Sequence, residues 1–354
     1  MSDRPAPVAD RTDGVGGAAN LLPPEQAQLI ERLQIFLHQA GRGALAPRTL
    51  AALHSDRRVF SRWCEARGLC WLPAEPATVV AFVEDIGKSR KPATVERYLA
   101  SIAMWHAAAE APNPCKTLQV RMARRAHANE LGVRPLQAKP VGGTEIAAII
   151  DALTPVDPAQ PPSLRARRDI ALLLTARDSL ARAAELVALR WEDLAVAEDG
   201  SATILIRRSK TDQKGEGRVA WLSPETVEAL EAWRRGIEAA LDPVTKTVAG
   251  PSPLLFRHLA RRGYGAALTT ASVARIVKER AGQIGLVTRG YSAHSTRVGT
   301  AQDLIAAGED LLAVMNAGGW TSPRMPARYG ERLLAARGAV ARLRGRKGSA
   351  GGDP

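Results

Sequence analysis

A chain of 354 residues with 45% hydrophobic content is too long for one compact core and rich enough in apolar residues to build two. A formal charge of +13, from 49 Lys and Arg against 36 Asp and Glu, points to a polyanionic partner, with nucleic acid first among the candidates. Three scattered cysteines, Cys64, Cys70 and Cys115, argue against a disulfide framework or a zinc site, and no apolar run approaches the ~20 residues of a membrane span.

Residues 1–22 are rich in Ala, Gly, Asp and Pro without periodicity and are expected to form a disordered arm. This end is polar and lacks a charged-then-apolar leader, so a cytoplasmic, nucleoid-associated bacterial protein is expected. From Pro24 to about Asn129 the apolar spacing is helical. Leu29, Leu33, Ile35 and Phe36 mark one face, and Leu50, Leu53, Val59, Phe60 and Trp63 the next. Val95, Leu99, Ile102 and Trp105 follow a helix-starting Pro92. Cys64 reads as core packing. Nothing in this half alternates like a strand, so residues 23–128 are predicted to form a small helical domain. Its surface carries Arg48, Arg57, Arg58, Arg62 and Arg97 with few acids in the same turns.

The segment from Lys116 to Lys139 contains Arg121, Arg124, Arg125 and Arg134 against a single acid, Glu130, before the helix breakers Gly132, Pro135 and Pro140. A basic linker is expected at 129–142, its charges suited to neutralising phosphates as two domains close on a duplex. Arg48, Arg58, Arg97, Arg121, Arg124 and Arg125 are the candidate DNA contacts. From about Thr144 the pattern is again mostly helical, with a buried helix at Ile170–Leu174 and another expected to run from Arg182 through Glu185 to Trp191. The exception is a pair of β-rich runs, Thr203–Ile206 and Arg218–Leu222, around a polar stretch that contains Lys210 and Lys214. They read as a hairpin with Lys210 near its tip. A tail of 24 residues follows Gly330, with Leu333, Leu334, Val340 and Leu343 at partial helical spacing among Arg332, Arg337, Arg342, Arg344 and Arg346. Residues 143–347 are predicted to form the second domain and 348–354 a disordered end.

One ordered set of residues carries chemistry. Arg182, with Glu185 one turn later, precedes Lys210; then come His294-Ser-Thr-Arg297, Gly318-Gly-Trp320 and Tyr329, nine residues beyond the tryptophan. A phosphodiester attacked in line gathers negative charge on its non-bridging oxygens, and arginine forks suit that charge. Tyr329 is the candidate nucleophile of a covalent phosphotyrosine. Lys210 is placed to protonate the leaving oxygen, with Lys214 its competitor. His294 can accept the phenolic proton or hold the phosphate, and the Trp320 indole N–H can donate to it. Separately, each residue has a plain structural role open to it: Arg182 as an ion pair with Glu185, His294 and Trp320 as core packing.

This set resembles the tyrosine recombinase (phage integrase) family. The resemblance rests on Tyr291-Ser-Ala-His294-Ser-Thr-Arg297-Val-Gly-Thr-Ala, on Met315-Asn-Ala-Gly-Gly-Trp320-Thr, and upstream on Trp63-Cys64 and Trp71-Leu-Pro-Ala-Glu-Pro76, and it covers roughly residues 45 to 345. It implies a mainly α fold, with a helical N-terminal core-binding domain and a mostly helical catalytic domain that includes a small β-sheet. It also implies Arg182, Lys210, His294, Arg297, Trp320 and Tyr329 as the catalytic set, Glu185 as a supporting acid, and no nucleotide or metal cofactor. The implied partners are double-stranded DNA with inverted-repeat arms and further copies of the chain, two on a site and four in a synapse, with the C-terminal helix docking on a neighbouring protomer. Asp178-Ser-Leu-Ala181 before Arg182 departs from the family pattern, which usually has Gly or Leu there. A type IB topoisomerase, which uses similar residues alone, and a DNA-binding regulator with a decayed site are the rival readings.

Overall fold

The computed structural model describes residues 23–134, 136–208, 215–240, 253–260 and 263–343, and the chain divides into two units between residues 135 and 136. The first unit consists of α1 (Pro24–Gln39), α2 (Pro47–Glu65), α3 (Pro76–Gly87), α4 (Pro92–Ala108) and α5 (Leu118–Leu131). Each of the first four opens on a proline in its first turn, where the missing N–H costs nothing. Their apolar stripes meet in one core around Leu33, Phe60, Phe82, Ile102 and Trp105, and the Phe60 and Phe82 rings meet edge to face at 4.9 Å. Cys64 is buried in it, which pushes its thiol up to about 12.

Two details differ from the periodic reading. Ile35 is 51% exposed, because two residues past Leu33 is about 200° around the helix, and Leu37 takes the buried position. On α2 the stripe Leu53, Asp56, Phe60, Cys64 includes a fully buried carboxylate. Asp56 is paired there with Arg97 and accepts from the Ser101 hydroxyl at 2.8 Å, so the buried carboxyl has its polar partners. α5 runs to Leu131, into the stretch expected as a connector, and ends at Gly132 in the left-handed region (φ 70°).

The second unit contains α6 (Gly143–Leu153), α7 (Leu164–Ser179), the single turn α8 (Ala183–Leu186), β1 (Leu194–Val196), β2 (Ala202–Ile206), β3 (Arg218–Leu222) and α9 (Pro224–Ala240). It continues with β4 (Arg257–Ala260), β5 (Gly263–Ala267), α10 (Thr270–Gln283), α11 (Ser295–Ala307), α12 (Leu311–Gly318), α13 (Arg324–Tyr329) and α14 (Glu331–Ala336). α7 is the central helix, buried around most of its circumference by α6, α9 and α11. Its buried Asp169 accepts from Arg168 at 2.6 Å and from Arg280 of α10, so one carboxylate ties the two helices.

β1, β2 and β3 form an antiparallel sheet in that order, with Ile206 opposite Arg218 at the loop end. The expected hairpin is present, extended by β1; Lys210 and Lys214 of its loop lie outside the described residues. Ala202, Ile204 and Ile206 of β2 and Ala220 and Leu222 of β3 point into the core, while Val219 and Trp221 face out. The β4–β5 hairpin was not expected, since Arg257-His-Leu-Ala and Gly263-Tyr-Gly-Ala-Ala lack apolar alternation. No helix among the described residues is long and apolar enough to cross a membrane.

Candidate active site

The site is built on helix ends. α7 terminates on Leu180, a non-glycine residue in the left-handed region (φ 47°), a conformation that costs ~1–2 kcal/mol. Leu180 stays there because its side chain is buried with Ala301, Ile305 and Val314 and its carbonyl accepts from Arg297. The turn delivers Arg182 in extended backbone just before α8 (φ −70°, ψ 153°). The helix expected from Arg182 to Trp191 is therefore one turn long. It stops because residues 189–191 pair with 253–255: Leu255 N donates to Leu189 O at 2.9 Å and Trp191 N to Pro253 O at 3.0 Å. Asp178, the departure from the family pattern, anchors the turn from below. Its carboxylate accepts from Ser223 N at 2.8 Å, Ser223 Oγ at 2.7 Å, Thr226 Oγ1 at 2.5 Å and Arg177 Nε at 2.8 Å. Burial pushes this carboxyl up, but the donors win and hold it below the usual carboxylate range.

Glu185 is almost fully buried and serves Arg182 twice. Its Oε2 accepts from the Arg182 backbone N–H at 2.9 Å, in the manner of a capping box, and its Oε1 from Arg182 Nη1 at 2.7 Å. The carboxylate thus fixes both the turn and the guanidinium.

Arg297, one turn into α11, is 2% exposed. Besides Leu180 O it donates from Nη2 to Gly318 O at 2.6 Å, and its guanidinium lies over the Trp320 ring at 4.0 Å. Trp320 in turn meets the Tyr329 ring edge to face, centroids 5.9 Å apart. Gly318-Gly319 makes that stacking possible. A Cβ on Gly318 would lie 2.0 Å from the indole, and Gly319 is left-handed (φ 61°). The backbone carbonyl of Tyr329 accepts from Gln302 Nε2 of α11 at 2.9 Å. Burial pushes the Arg297 guanidinium down to about 9; the charges of Arg182 and Arg218 act the same way, while Glu185 and Tyr329 oppose them.

Arg182, Glu185, Arg297, Trp320 and Tyr329 are thus brought together from positions far apart in sequence. His294 is exposed at the cap position of α11, one turn before Arg297. Lys210 lies outside the described residues. Of the candidate DNA contacts in the first unit, Arg48 and Arg58 are exposed on α2, and Arg121 and Arg125 on α5. Arg124 pairs with Glu96 at 3.3 Å, whereas Arg97 holds Asp56 and lies 4.9 Å over the Tyr98 ring.

Sequence reasoning missed Arg218. It donates from Nη2 to Ser179 O at 2.7 Å and from Nη1 to Ala317 O at 3.2 Å, and lies 3.8 Å from Glu185. The signal was available. On a strand with period 2, Arg218 shares a face with Ala220 and Leu222, so it points into the core at the first rung of the hairpin.

A model of the phage integrase family matches residues 143–333. The chain is 29% identical over 308 residues to an integrase/recombinase xerD homolog of Selenomonas ruminantium, covering 84% of this chain and 86% of that protein. It is 27% identical over 323 residues to recombinase Cre of Escherichia phage P1, covering 85% and 89%. Its fold is shared with XerH site-specific recombinase, solved bound to a palindromic difH substrate as a post-cleavage complex, at a TM-score of 0.53 and 18% identity, over 83% of this chain and 78% of that one. The matched segment is more than half of the sequence and includes Arg182, Glu185, Arg297, Trp320 and Tyr329; the chain belongs to the phage integrase family of tyrosine recombinases.

Proposed function

We propose that this enzyme exchanges DNA strands at a specific site through a phosphotyrosine at Tyr329. The observation that carries the reading is the stack Arg297–Trp320–Tyr329, which sets a buried cation beside the candidate nucleophile, with the Arg182–Glu185 pair acting on the same guanidinium. Arg182 and Arg297 hold the non-bridging oxygens of the scissile phosphate. The Tyr329 hydroxyl oxygen attacks phosphorus, the bond from phosphorus to the 5′ oxygen breaks, and a 3′-phosphotyrosine forms. The phenolic proton passes to His294, and Lys210 supplies a proton to the departing 5′ oxygen. Attack by a 5′-hydroxyl of the partner strand reverses these transfers and passes the exchange through a Holliday junction.

The substrate we infer is duplex DNA with inverted arms, one protomer on each arm and four in the synapse; the charge of +13 and the palindromic substrate of XerH support it. On this reading residues 23–128 grip one face of the duplex, 129–142 link, and 143–347 cleave, in the bacterial cytoplasm on nucleoid DNA. The tail works in two parts. Arg337 donates to Ile305 O at 2.7 Å and to Ala306 O, fastening α14 to its own domain, while Val340 and Leu343 stay exposed and serve a neighbouring protomer.

The test is Tyr329→Phe on a nicked suicide substrate. The variant binds DNA as the parent does and forms no denaturation-resistant adduct; an adduct that persists removes Tyr329 from its role. Relaxation of a supercoiled plasmid lacking the selected site, at low protein concentration, would instead favour a topoisomerase.

A further inference from the structure

Arg32, Arg67 and Arg124 of the first unit pair with Glu110, Asp85 and Glu96, carboxylates that are well exposed. Pairs of this kind lie in water and contribute little. Arg97 differs. Its partner Asp56 has a side chain only 1% exposed, while that of Arg97 is 45% exposed. The pair therefore runs from the core to the surface, with its fixed end inside. A carboxylate is a costly choice for that end. An apolar residue at 56 would continue the stripe of Leu53, Phe60 and Cys64 without the desolvation of a charge.

The carboxylate has no freedom to turn. Its Oδ1 accepts from Arg97 Nη1 and its Oδ2 from Ser101 Oγ at 2.8 Å, two donors one turn apart on α4. The guanidinium also lies 4.9 Å over the Tyr98 ring, and that ring is itself seated in the core, edge to face with Phe82 at 5.7 Å. With Nη1 held, the edge of the fork formed by Nε and Nη2 has no protein partner among the described residues. Two parallel N–H donors on a fixed edge match two neighbouring acceptors, and guanine presents such a pair, O6 and N7, in the major groove. Ala93 and Ala100, about one turn to either side of Arg97 on α4, are small and exposed, so they leave the helix room to approach base edges. A phosphate would be a poorer match. As an ion pair, Arg97 and Asp56 carry no net charge between them, and a phosphate oxygen asks for charge more than for aim.

We infer that Arg97 is a specificity-determining residue: it reads a guanine in each arm of the DNA site through its Nε and Nη2 donors, and Asp56 is the positioning residue that aims it. The inference rests on the reading of the chain as a site-specific recombinase of duplex DNA.

The experiment selects bound sequences from random duplexes with the full chain, then measures binding to the selected arm with each base pair replaced in turn. For the parent, replacing one G·C pair is expected to weaken binding roughly 5–150-fold, the range of one bidentate arginine–guanine contact. The double variant Arg97→Met with Asp56→Leu exchanges the ion pair for apolar side chains and leaves no unpaired carboxylate in the core. It should bind the selected arm more weakly, discriminate at that base pair by less than about twofold, and keep the parental pattern at every other position. Asp56→Asn retains Arg97 but loosens its hold, so discrimination at the same base pair should be intermediate; it stands in for the double variant if that one does not fold. Uniform weakening at all positions, with the log–log salt slope reduced by about 1, would make Arg97 a phosphate contact and overturn the inference. Parental discrimination in both variants would leave the pair a structural one and overturn it equally. A parent that enriches no sequence removes the proposed function, and the inference with it; a selective parent whose pattern survives in both variants removes the inference alone.

Discussion

Gly299→Ala should damage cleavage through backbone alone. Gly299 lies two residues past Arg297, and the chain at 141–142 crosses α11 at that point. A Cβ there would stand 2.2 Å from Val141 O, 2.3 Å from Val141 C and 2.5 Å from Gly142 N. All three are backbone atoms, so no side chain can rotate away. Nor is the crossing segment loose. Val141 N donates to Ser295 O at 2.9 Å and Gly143 N to Asp303 Oδ2 at 2.8 Å, one tie on each side of the glycine. Restoring an ordinary contact of 3.4 Å from 2.2 Å requires the two to part by about 1.2 Å. Overpacking of this kind costs ~1–3 kcal/mol, which for a domain of this size lowers Tm by roughly 2–12 °C. The same shift moves Arg297 against Trp320 and the Leu180 turn, and ~1 Å of misplacement is worth about 100-fold in rate. Gly308→Ala is the control. Gly308 is left-handed (φ 98°) at the end of the same helix with open space around it, so a Cβ strains it by ~1–2 kcal/mol without pushing on anything. Calorimetry and single-turnover cleavage of a suicide substrate should give two variants of comparable Tm, of which only Gly299→Ala is slow. If Gly299→Ala cleaves at the parental rate, α11 does not transmit the position of its backbone to Arg297 and the reasoning fails.

The remaining expectations are shorter. The His106 ring is fully buried, with Nδ1 donating to Ile102 O at 2.7 Å and Nε2 accepting from Ala74 N at 2.9 Å, which only the neutral form can do. Burial pushes its pKa below 6.5, more than the Ile102 carbonyl pushes it up. The unfolded chain therefore takes up the proton first: stability is complete above about pH 6.5 and falls as pH drops below it. Urea midpoints between pH 8 and 5 should show this slope in the parent and a smaller one in His106→Gln; equal slopes would assign it to other groups. DNA binding should weaken steeply with salt, each neutralised phosphate adding about 0.9 to the log–log slope, and a nearly flat response would mean that the +13 charge is not a DNA footprint. Truncation after Gly338 spares the Arg337 contacts and removes the exposed Val340 and Leu343, so it should preserve binding to one arm and abolish cooperativity on two. Equal cooperativity in a gel-shift titration would show that the tail is not the link between protomers.

How far the fold could be read in advance depended on whether neighbours in sequence or neighbours in space decide each element. Val95, Leu99, Ile102 and Trp105 announce a core helix because the period alone places them, and all four are buried. The hairpin was legible for the same reason. The helix through Arg182 failed because residues 189–191 are claimed by a backbone pairing with 253–255 that no local pattern reveals. Asp56 on an apolar stripe is intelligible only once Arg97 and Ser101 are known to face it. The left-handed Leu180 was likewise beyond reach, since its conformation is imposed by α11 and α12. Arg218 is a different case. Its strand was recognised, and the parity of that strand would have turned it inward.

Charge explains why a site proposed to cleave a phosphodiester should hold these groups. Arg182, Arg218 and Arg297 bring three positive charges and Glu185 one negative, a balance of +2. On the proposed mechanism the bound phosphodiester contributes −1, leaving the pocket at +1. Attack by Tyr329 with loss of its proton to His294 puts a second negative charge on the phosphorane and a positive charge on His294, so the three arginines, Glu185 and the phosphorane together sum to zero while the imidazolium carries the balancing charge. Attraction thus grows as the reaction proceeds, and it acts at a buried guanidinium where screening by water is weak. Catalysis requires such a difference between ground and transition states; tight binding of both alike would not raise the rate. Glu185 sets the balance: without it the pocket would stand at +3, would hold the ground-state phosphate more firmly, and would lose the group that aims Arg182. A carboxylate among arginines is therefore no contradiction in an anion-binding site, because it keeps the match for the transition state.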